Sequence, residues 1–168
     1  SDDRYITASN GDDSQSARYR RWLPTAALRF EASPALALYA AAGRGFETPT
    51  LNELAYRAGG AAGANFGLQP ASSTSLELGL KARLGGGLLT AALFQTGTKN
   101  EIVTLTNVGG RSTFQNAGRT RRRGAELSWL HETRQHWRTQ LAYTWIDARY
   151  RDAFCSPTPC TPASQVAA

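Results

Sequence analysis

The feature that most constrains this chain is a period-two alternation of apolar and polar residues along several long segments. In "SLELGLKARL", leucines at every second position alternate with charged residues such as Glu77 and Lys81. The segments "WLPTAALRFE" and "WRTQLAYTW" repeat the pattern. Successive side chains of a β-strand point to opposite faces of a sheet. The sequence therefore predicts strands that lie between two unlike environments.

The predicted strands are long. They cover residues 17–32, 36–48, 72–85, 88–105, 114–131 and 136–151, with a further strand end at about residues 2–8. Strands of soluble sheets usually have about five or six residues, whereas a tilted membrane strand needs about ten. These lengths favour strands that cross a membrane. The segments 36–48 and 88–105 do not alternate cleanly, so their faces are left unassigned.

The connections between the predicted strands alternate in length. Those at residues 33–35, 85–87 and 132–136 are short, whereas 9–16, 49–71, 106–113 and the segment from 152 onward are long. No helix is expected in the connection at 49–71. Short turns at one end and long loops at the other are typical of outer-membrane barrels. We therefore predict an all-β fold: an antiparallel transmembrane β-barrel, here a partial barrel of six to seven strands. The alternative is a soluble antiparallel sandwich or meander.

Composition and motifs argue against several other classes. The net charge of +6 raises the possibility of nucleic-acid binding, but the only dense basic run is at residues 120–123, so no nucleic-acid partner is predicted. No nucleophile–base pair or carboxylate pair stands out, so we expect neither an enzyme nor a catalytic residue. His131 and His136 have no cysteine or carboxylate cluster beside them. We therefore predict no metal site and no cofactor.

Cys155 and Cys160 are the only two cysteines, and they enclose the tetrapeptide "SPTP". A zinc site would need further ligands nearby, and none is present in the sequence around them. The spacing favours a disulfide in a short loop, which would form in an oxidising compartment.

Four segments carry a family resemblance: "GRGFETPTLNEL", "LQPASSTSLELGLKARL", "TAALFQTGTKNEIV" and "FQNAGRTRRRGAELSW". In their order and spacing they resemble the barrels of TonB-dependent outer-membrane receptors, and the resemblance covers essentially the whole chain. It implies a bacterial outer-membrane location, a monomeric barrel of 22 strands, and a partnership with the TonB system through an N-terminal plug. Residues 1–168 contain no plug pattern, so they are expected to be an internal segment of such a barrel.

The resemblance also implies a ligand. The phrases "GFETPTLNEL" and "NFGLQP", with a cysteine loop after "TWIDARYR", are most similar to receptors for pyrroloquinoline quinone, a small anionic ligand. A ferric siderophore or another metal chelate is the second candidate, and a passive structural or adhesive barrel is the alternative of another class. The planar fork of arginine suits carboxylates. The candidate ligand-binding residues, in or beside long loops, are Arg57, Arg111, Arg119 and Arg121; solvated loop charges or outer-leaflet contacts are the alternative.

Charged residues on the polar faces are expected to line a hydrated lumen: Arg29, Glu31, Glu77, Lys81, Arg83, Glu126 and Arg138. Arg121 and Arg123 are different. If Ala125 faces lipid, strict alternation puts both arginines on the lipid side, where outer-membrane lipid and lipopolysaccharide phosphates would be partners. A bulge at Gly124 would turn them inward instead. The sequence leaves both possibilities open.

Overall fold

The computed structural model of the chain describes residues 6–7, 11–12, 17–57, 63–133, 137–155 and 160–161. These residues form twelve strands and one helical turn. In chain order they are β1 (Ile6–Thr7), β2 (Gly11–Asp12), β3 (Thr25–Ser33), β4 (Leu36–Glu47), α1 (Leu51–Leu54), β5 (Ala71–Leu84), β6 (Gly87–Lys99), β7 (Ile102–Val108), β8 (Arg111–Asn116), β9 (Arg119–Glu132), β10 (Arg138–Tyr150), β11 (Phe154–Cys155) and β12 (Cys160–Thr161).

The long strands form one antiparallel sheet in the order β10-β9-β6-β5-β4-β3. The β5–β6 ladder is continuous from Ser72 opposite Lys99 to Leu84 opposite Gly87, and the β9–β10 ladder from Thr120 to Glu132, whereas the β3–β4 ladder shifts register between Glu31 and Ser33. The predicted all-β fold and the antiparallel pairing of successive long strands are therefore confirmed.

Several predicted boundaries were wrong. The first long strand begins at Thr25 rather than at residue 17. The strands expected at 88–105 and 114–131 are each divided, since β6 ends at Lys99 and β9 begins at Arg119. Asn100 and Gly118 have positive φ values of 57° and 76°, which take the chain out of the sheet at these two points.

The segment between those points forms a separate hairpin of β7 and β8. The long loop expected at residues 106–113 is thus mostly strand, with Gly109 and Gly110 at the turn. Their φ values of 58° and 79° fit a tight hairpin turn that favours glycine. Residues 88–105 do not alternate cleanly, so the sequence pattern did not reveal the break at Asn100 and predicted an uninterrupted strand.

Two other expectations are corrected in part. The connection expected at 49–71 without a helix contains the helical turn α1. At the beginning of the chain, the described strand residues of the expected 2–8 segment are Ile6–Thr7, and they pair with Gly11–Asp12 inside the expected 9–16 loop.

The register confirms the predicted faces of β3, β5 and β10. Leu78 stands opposite Leu93 and Ala40, whereas Lys81 stands opposite Thr90 and Ala37. The register also assigns the faces of β4 and β6, which the sequence had left open. The apolar face comprises Ala26, Leu28, Phe30, Leu36, Leu38, Ala40, Ala42, Leu76, Leu78, Leu80, Ala82, Leu84, Leu89, Ala91, Leu93, Ala125, Leu127, Trp129, Leu141, Tyr143 and Trp145.

The apolar face has no protein layer over it in the part of the chain that the structure describes. Leu78, Leu93 and Tyr143 are 62%, 63% and 63% exposed. In a sandwich a second sheet would cover such a face. No helix among the described residues is long and apolar enough to cross a membrane.

Candidate ligand-binding site at the long connections

The short connections β3–β4, β5–β6 and β9–β10 lie at one end of the sheet, and the described parts of the longer connections lie at the other. Residues 48–57 and 63–70 follow β4 at this second end, beside the β7–β8 hairpin. The helical turn α1 begins there with a capping box. Thr50 Oγ1 accepts from the Glu53 backbone N–H at 3.3 Å, and the Thr50 N–H donates to Glu53 Oε2 at 2.7 Å. Leu54 is buried, and its carbonyl oxygen accepts from the Asn65 backbone N–H at 2.7 Å.

A set of amide side chains joins this connection to the hairpin. Asn116 Nδ2 donates to the carbonyl oxygens of Gln69 and Asn100, each at 2.8 Å, and Asn116 Oδ1 accepts from the Gln69 backbone N–H at 2.9 Å. Asn100 Nδ2 donates to Gln69 Oε1 at 3.0 Å, and Asn65 Nδ2 donates to the Phe114 carbonyl at 3.1 Å. These hydrogen bonds hold together two segments that are remote in sequence. We call the three asparagines and Gln69 that make them the amide clamp.

An aromatic residue and two arginines lie on these two segments. The Arg111 guanidinium carbon is 5.4 Å from the centroid of the Tyr56 ring, a cation–π distance. Arg57 is the next residue after Tyr56, and its Nε donates to the Ala64 carbonyl at 2.9 Å. Tyr56 remains 43% exposed. These residues therefore present a partly exposed ring with the Arg111 guanidinium beside it.

Arg119, a third candidate, is already paired. Its Nε and Nη2 reach both carboxylate oxygens of Asp152 at 2.7–3.1 Å, and its backbone N–H donates to Asp152 Oδ2 at 2.8 Å. The hydrogen bond from Arg119 lowers the pKa of Asp152 below its usual value. This bidentate pair fixes the start of β9 against the end of β10.

The fourth candidate, Arg121, lies away from these loop segments. Gly97 and Arg149 are its register partners, which places it on the apolar face of the sheet. Arg123 lies on the same face, opposite Asp147. The ladder runs through Gly124 without a bulge, because Gly124 pairs with both Phe94 and Ile146. The structure therefore brings Arg111 to the Tyr56 ring, holds the Arg57 side chain on the Ala64 carbonyl, and leaves Arg119 and Arg121 elsewhere.

Sequence reasoning missed Glu101. It lies between β6 and β7 and accepts hydrogen bonds from Thr120 Oγ1 and from Arg122, whose Nη2 is 2.5 Å from Glu101 Oε1. Burial raises the pKa of Glu101, but the hydrogen bonds from Arg122 and Thr120 outweigh it, so the pKa lies below the usual value. No sequence signal linked Glu101 to the run of arginines at residues 121–123, which lies well after it in the chain. The contact depends on the turn at Asn100, which the alternation does not reveal.

The backbones of Cys155 and Cys160 are register partners in the β11–β12 ladder. Directly opposed residues of antiparallel strands have Cα atoms about 4.5–5.5 Å apart, a separation that a disulfide spans. This supports the predicted disulfide, which remains a prediction. Among the described residues, no group of three or more His, Cys, Asp or Glu is placed to hold a metal ion.

Comparison with known proteins places this geometry in a family. Residues 1–161 match the family described as "TonB dependent receptor-like, beta-barrel". The chain belongs to this family. Its members are outer-membrane proteins, and the apolar face of the sheet is accordingly the lipid face of a receptor barrel. The polar face is the lumen face, the short turns are periplasmic, and the amide clamp lies at the extracellular end.

Solved structures of low sequence identity share the fold of this receptor barrel. The copper transporter OprC has a TM-score of 0.60 and 20% identity over 74% of this chain and 20% of its own. The siderophore receptor PirA from Pseudomonas aeruginosa has a TM-score of 0.58 and 20% identity, over 77% of this chain and 30% of its own. The alcaligin receptor FauA from Bordetella pertussis has a TM-score of 0.56 and 21% identity, over 82% of this chain and 24% of its own. The chain thus spans less than a third of the length of these receptors.

Proposed function

We propose that this chain is part of a TonB-dependent uptake receptor that captures a small anionic ligand at its extracellular end. The observation that carries the proposal is the exposed ring of Tyr56 flanked by Arg57 in sequence and by Arg111 in space. The amide clamp holds the two loop segments that bear these groups. A site whose parts are held before binding loses less conformational entropy when the ligand arrives.

The leading ligand is pyrroloquinoline quinone. It is a flat aromatic molecule with three carboxylates, so its ring suits Tyr56 and its carboxylates suit the two arginines. The second candidate is a ferric siderophore. PirA and FauA are siderophore receptors by name, and an anionic ferric complex would use the same arginines. A passive structural or adhesive barrel is the alternative of another class and needs no such site.

The other parts of the proposed receptor lie outside residues 1–168. They are the other barrel strands, which would pair with the edges of β3 and β10 that are unpaired among the described residues, and a plug that contacts the TonB system. Closing the sheet in this way would satisfy backbone groups that lipid cannot satisfy. The proposed barrel is a monomer.

The experiment uses the complete receptor. Calorimetry with pyrroloquinoline quinone and with a ferric catecholate identifies the ligand, and uptake in cells with and without an active TonB system tests the transport class. Binding of either ligand with TonB-dependent uptake supports the proposal. TonB-independent behaviour and no binding of either compound would point to a passive barrel.

Variants then test the site. Arg57→Ala and Arg111→Ala should each weaken binding by roughly 1.5–3 kcal/mol, the usual contribution of a charge-assisted hydrogen bond. Lys81→Ala, which removes a charge from the lumen face, is the matched control and should bind nearly normally. Unchanged affinity in both loop variants would move the site to other loops or to the plug while leaving the receptor class intact.

A further inference from the structure

The guanidinium group of Arg111 lies over the ring of Tyr56, on which the proposed ligand would stack. Its central carbon is 5.4 Å from the centroid of that ring. Stacked atoms are about 3.5–4 Å apart, so a flat molecule between the ring and the guanidinium would need a gap of about 7 Å. At their present distance the two groups leave no room for such a molecule, and one of them has to move before a ligand can stack.

The side chain of Arg111 is free to make this movement. It has no ion pair and no hydrogen bond with any residue that the structure describes. It follows Gly109 and Gly110 at the turn of the β7–β8 hairpin, and a Cβ atom added at either glycine would have no heavy atom within 4 Å. The amide clamp holds the other end of the hairpin, at Asn116. Arg111 can therefore leave the ring while the two loop segments stay in place.

The magnitudes of the contacts decide which molecules can displace Arg111. Tyr56 is 43% exposed, and a cation–π contact at an exposed site changes an equilibrium constant by a factor of about two to five. Stacking of a ligand ring on Tyr56 contributes a factor of about two to twelve, so the two effects nearly cancel for a neutral ring. A carboxylate that accepts a hydrogen bond from the displaced guanidinium adds a factor of about ten or more.

We propose that Arg111 covers the Tyr56 ring in the resting receptor and is exchanged for the ring of an aromatic anion. The ligand ring replaces the guanidinium on Tyr56, and a carboxylate of the same ligand accepts hydrogen bonds from Arg111 in its new position. A neutral ring would displace Arg111 without this compensation, and a carboxylate without a ring would leave Tyr56 unused. The site is thus selective for molecules that carry both groups. This inference rests on the proposed function, because it concerns the same site.

The test uses the complete receptor and calorimetry with three probes: pyrroloquinoline quinone, its neutral trimethyl ester, and citrate, which has three carboxylates and no ring. The wild type should bind pyrroloquinoline quinone at least tenfold more tightly than either of the other two. Arg111→Ala should weaken the binding of pyrroloquinoline quinone about tenfold and strengthen the binding of the ester about two- to fivefold. If Arg111 were a simple contact that stays on the ring, its removal would not improve the binding of the ester.

Controls separate this exchange from the proposed function itself. Arg83→Ala removes the same charge from the lumen face near a short turn and should bind every probe as the wild type does. Adding Tyr56→Leu to Arg111→Ala should abolish the gain for the ester, because no ring is left to uncover. If pyrroloquinoline quinone binds and its uptake depends on TonB, but Arg111→Ala binds the ester no better than the wild type, the exchange is wrong and the proposed function stands. If the wild type does not bind pyrroloquinoline quinone, the leading ligand and the exchange are both wrong.

Discussion

The ring of Tyr39 lies over Gly79, its register partner on the lumen face, and occupies the space that a side chain at Gly79 would need. From this position the Tyr39 hydroxyl donates to Glu77 at 2.7 Å. The Tyr39 ring thus packs on the backbone of Gly79, and its hydroxyl hydrogen-bonds to the Glu77 carboxylate on the lumen face.

We predict that Gly79→Ala destabilises the barrel. The added methyl group would displace the Tyr39 ring and its hydrogen bond to Glu77, and overpacking of this kind costs about 1–3 kcal/mol. Urea unfolding of the receptor in lipid vesicles measures the loss. Gly97→Ala is the control, because the nearest atom to its new methyl group would be the Thr120 carbonyl oxygen at 4.0 Å. Equal stability of the two variants would refute the role of Tyr39.

A second prediction concerns the amide clamp. Asn116→Ala removes two hydrogen bonds to Gln69, which join the connection after β4 to the hairpin, and a third to the Asn100 carbonyl, each contributing about 0.5–1.5 kcal/mol. We expect faster proteolysis within this connection and weaker ligand binding, with unchanged unfolding of the barrel. Asn107→Ala, at the exposed end of the same hairpin, should behave as the wild type. A proteolysis rate as slow as that of Asn107→Ala would show that the clamp is dispensable.

The pairing of Glu101 with Arg122 should make the order of the β7–β8 hairpin depend on pH. Because the pKa of Glu101 is lowered in the folded protein, its stabilisation is fully present above the ordinary value of 4.5 and is lost as the pH falls through the lower folded-state pKa. Hydrogen exchange of residues 102–116, corrected for the intrinsic pH dependence, should therefore accelerate in acid. Glu101→Gln should exchange faster at neutral pH and lose most of the additional acid effect. An identical pH profile in this variant would exclude Glu101 as the titrating group.

The cysteine pair gives a fourth prediction. Cys155 and Cys160 should be oxidised in the exported receptor, because the periplasm oxidises such pairs. Mass spectrometry of peptides from the unreduced protein should find them linked. The double serine variant should lose about 2–3 kcal/mol of local loop stability without a change in barrel unfolding. Two alkylated thiols in the unreduced protein would reject the disulfide.

The sequence by itself determined the strand type, the faces of the cleanly alternating strands and the end at which the long connections lie. Alternation such as that of Leu78 and Lys81 is a local property of a strand between lipid and water, so it is readable from residue order alone. The motifs indicated the family for the same reason, because each is a short run of neighbouring residues at a strand or loop.

Only the tertiary structure decided where the strands end and which arginines meet. The break at Asn100 depends on a backbone turn and on the Glu101–Arg122 pair, and the residue pattern of 88–105 reveals neither of them. Arg119, Arg121 and Arg123 look equivalent in sequence. In the folded sheet Arg119 pairs with Asp152, whereas the register of β9 places Arg121 on the lipid face. The folding of the connection after β4 brings Tyr56 to Arg111. Such partners lie far apart along the chain, and residue order does not encode their distances directly.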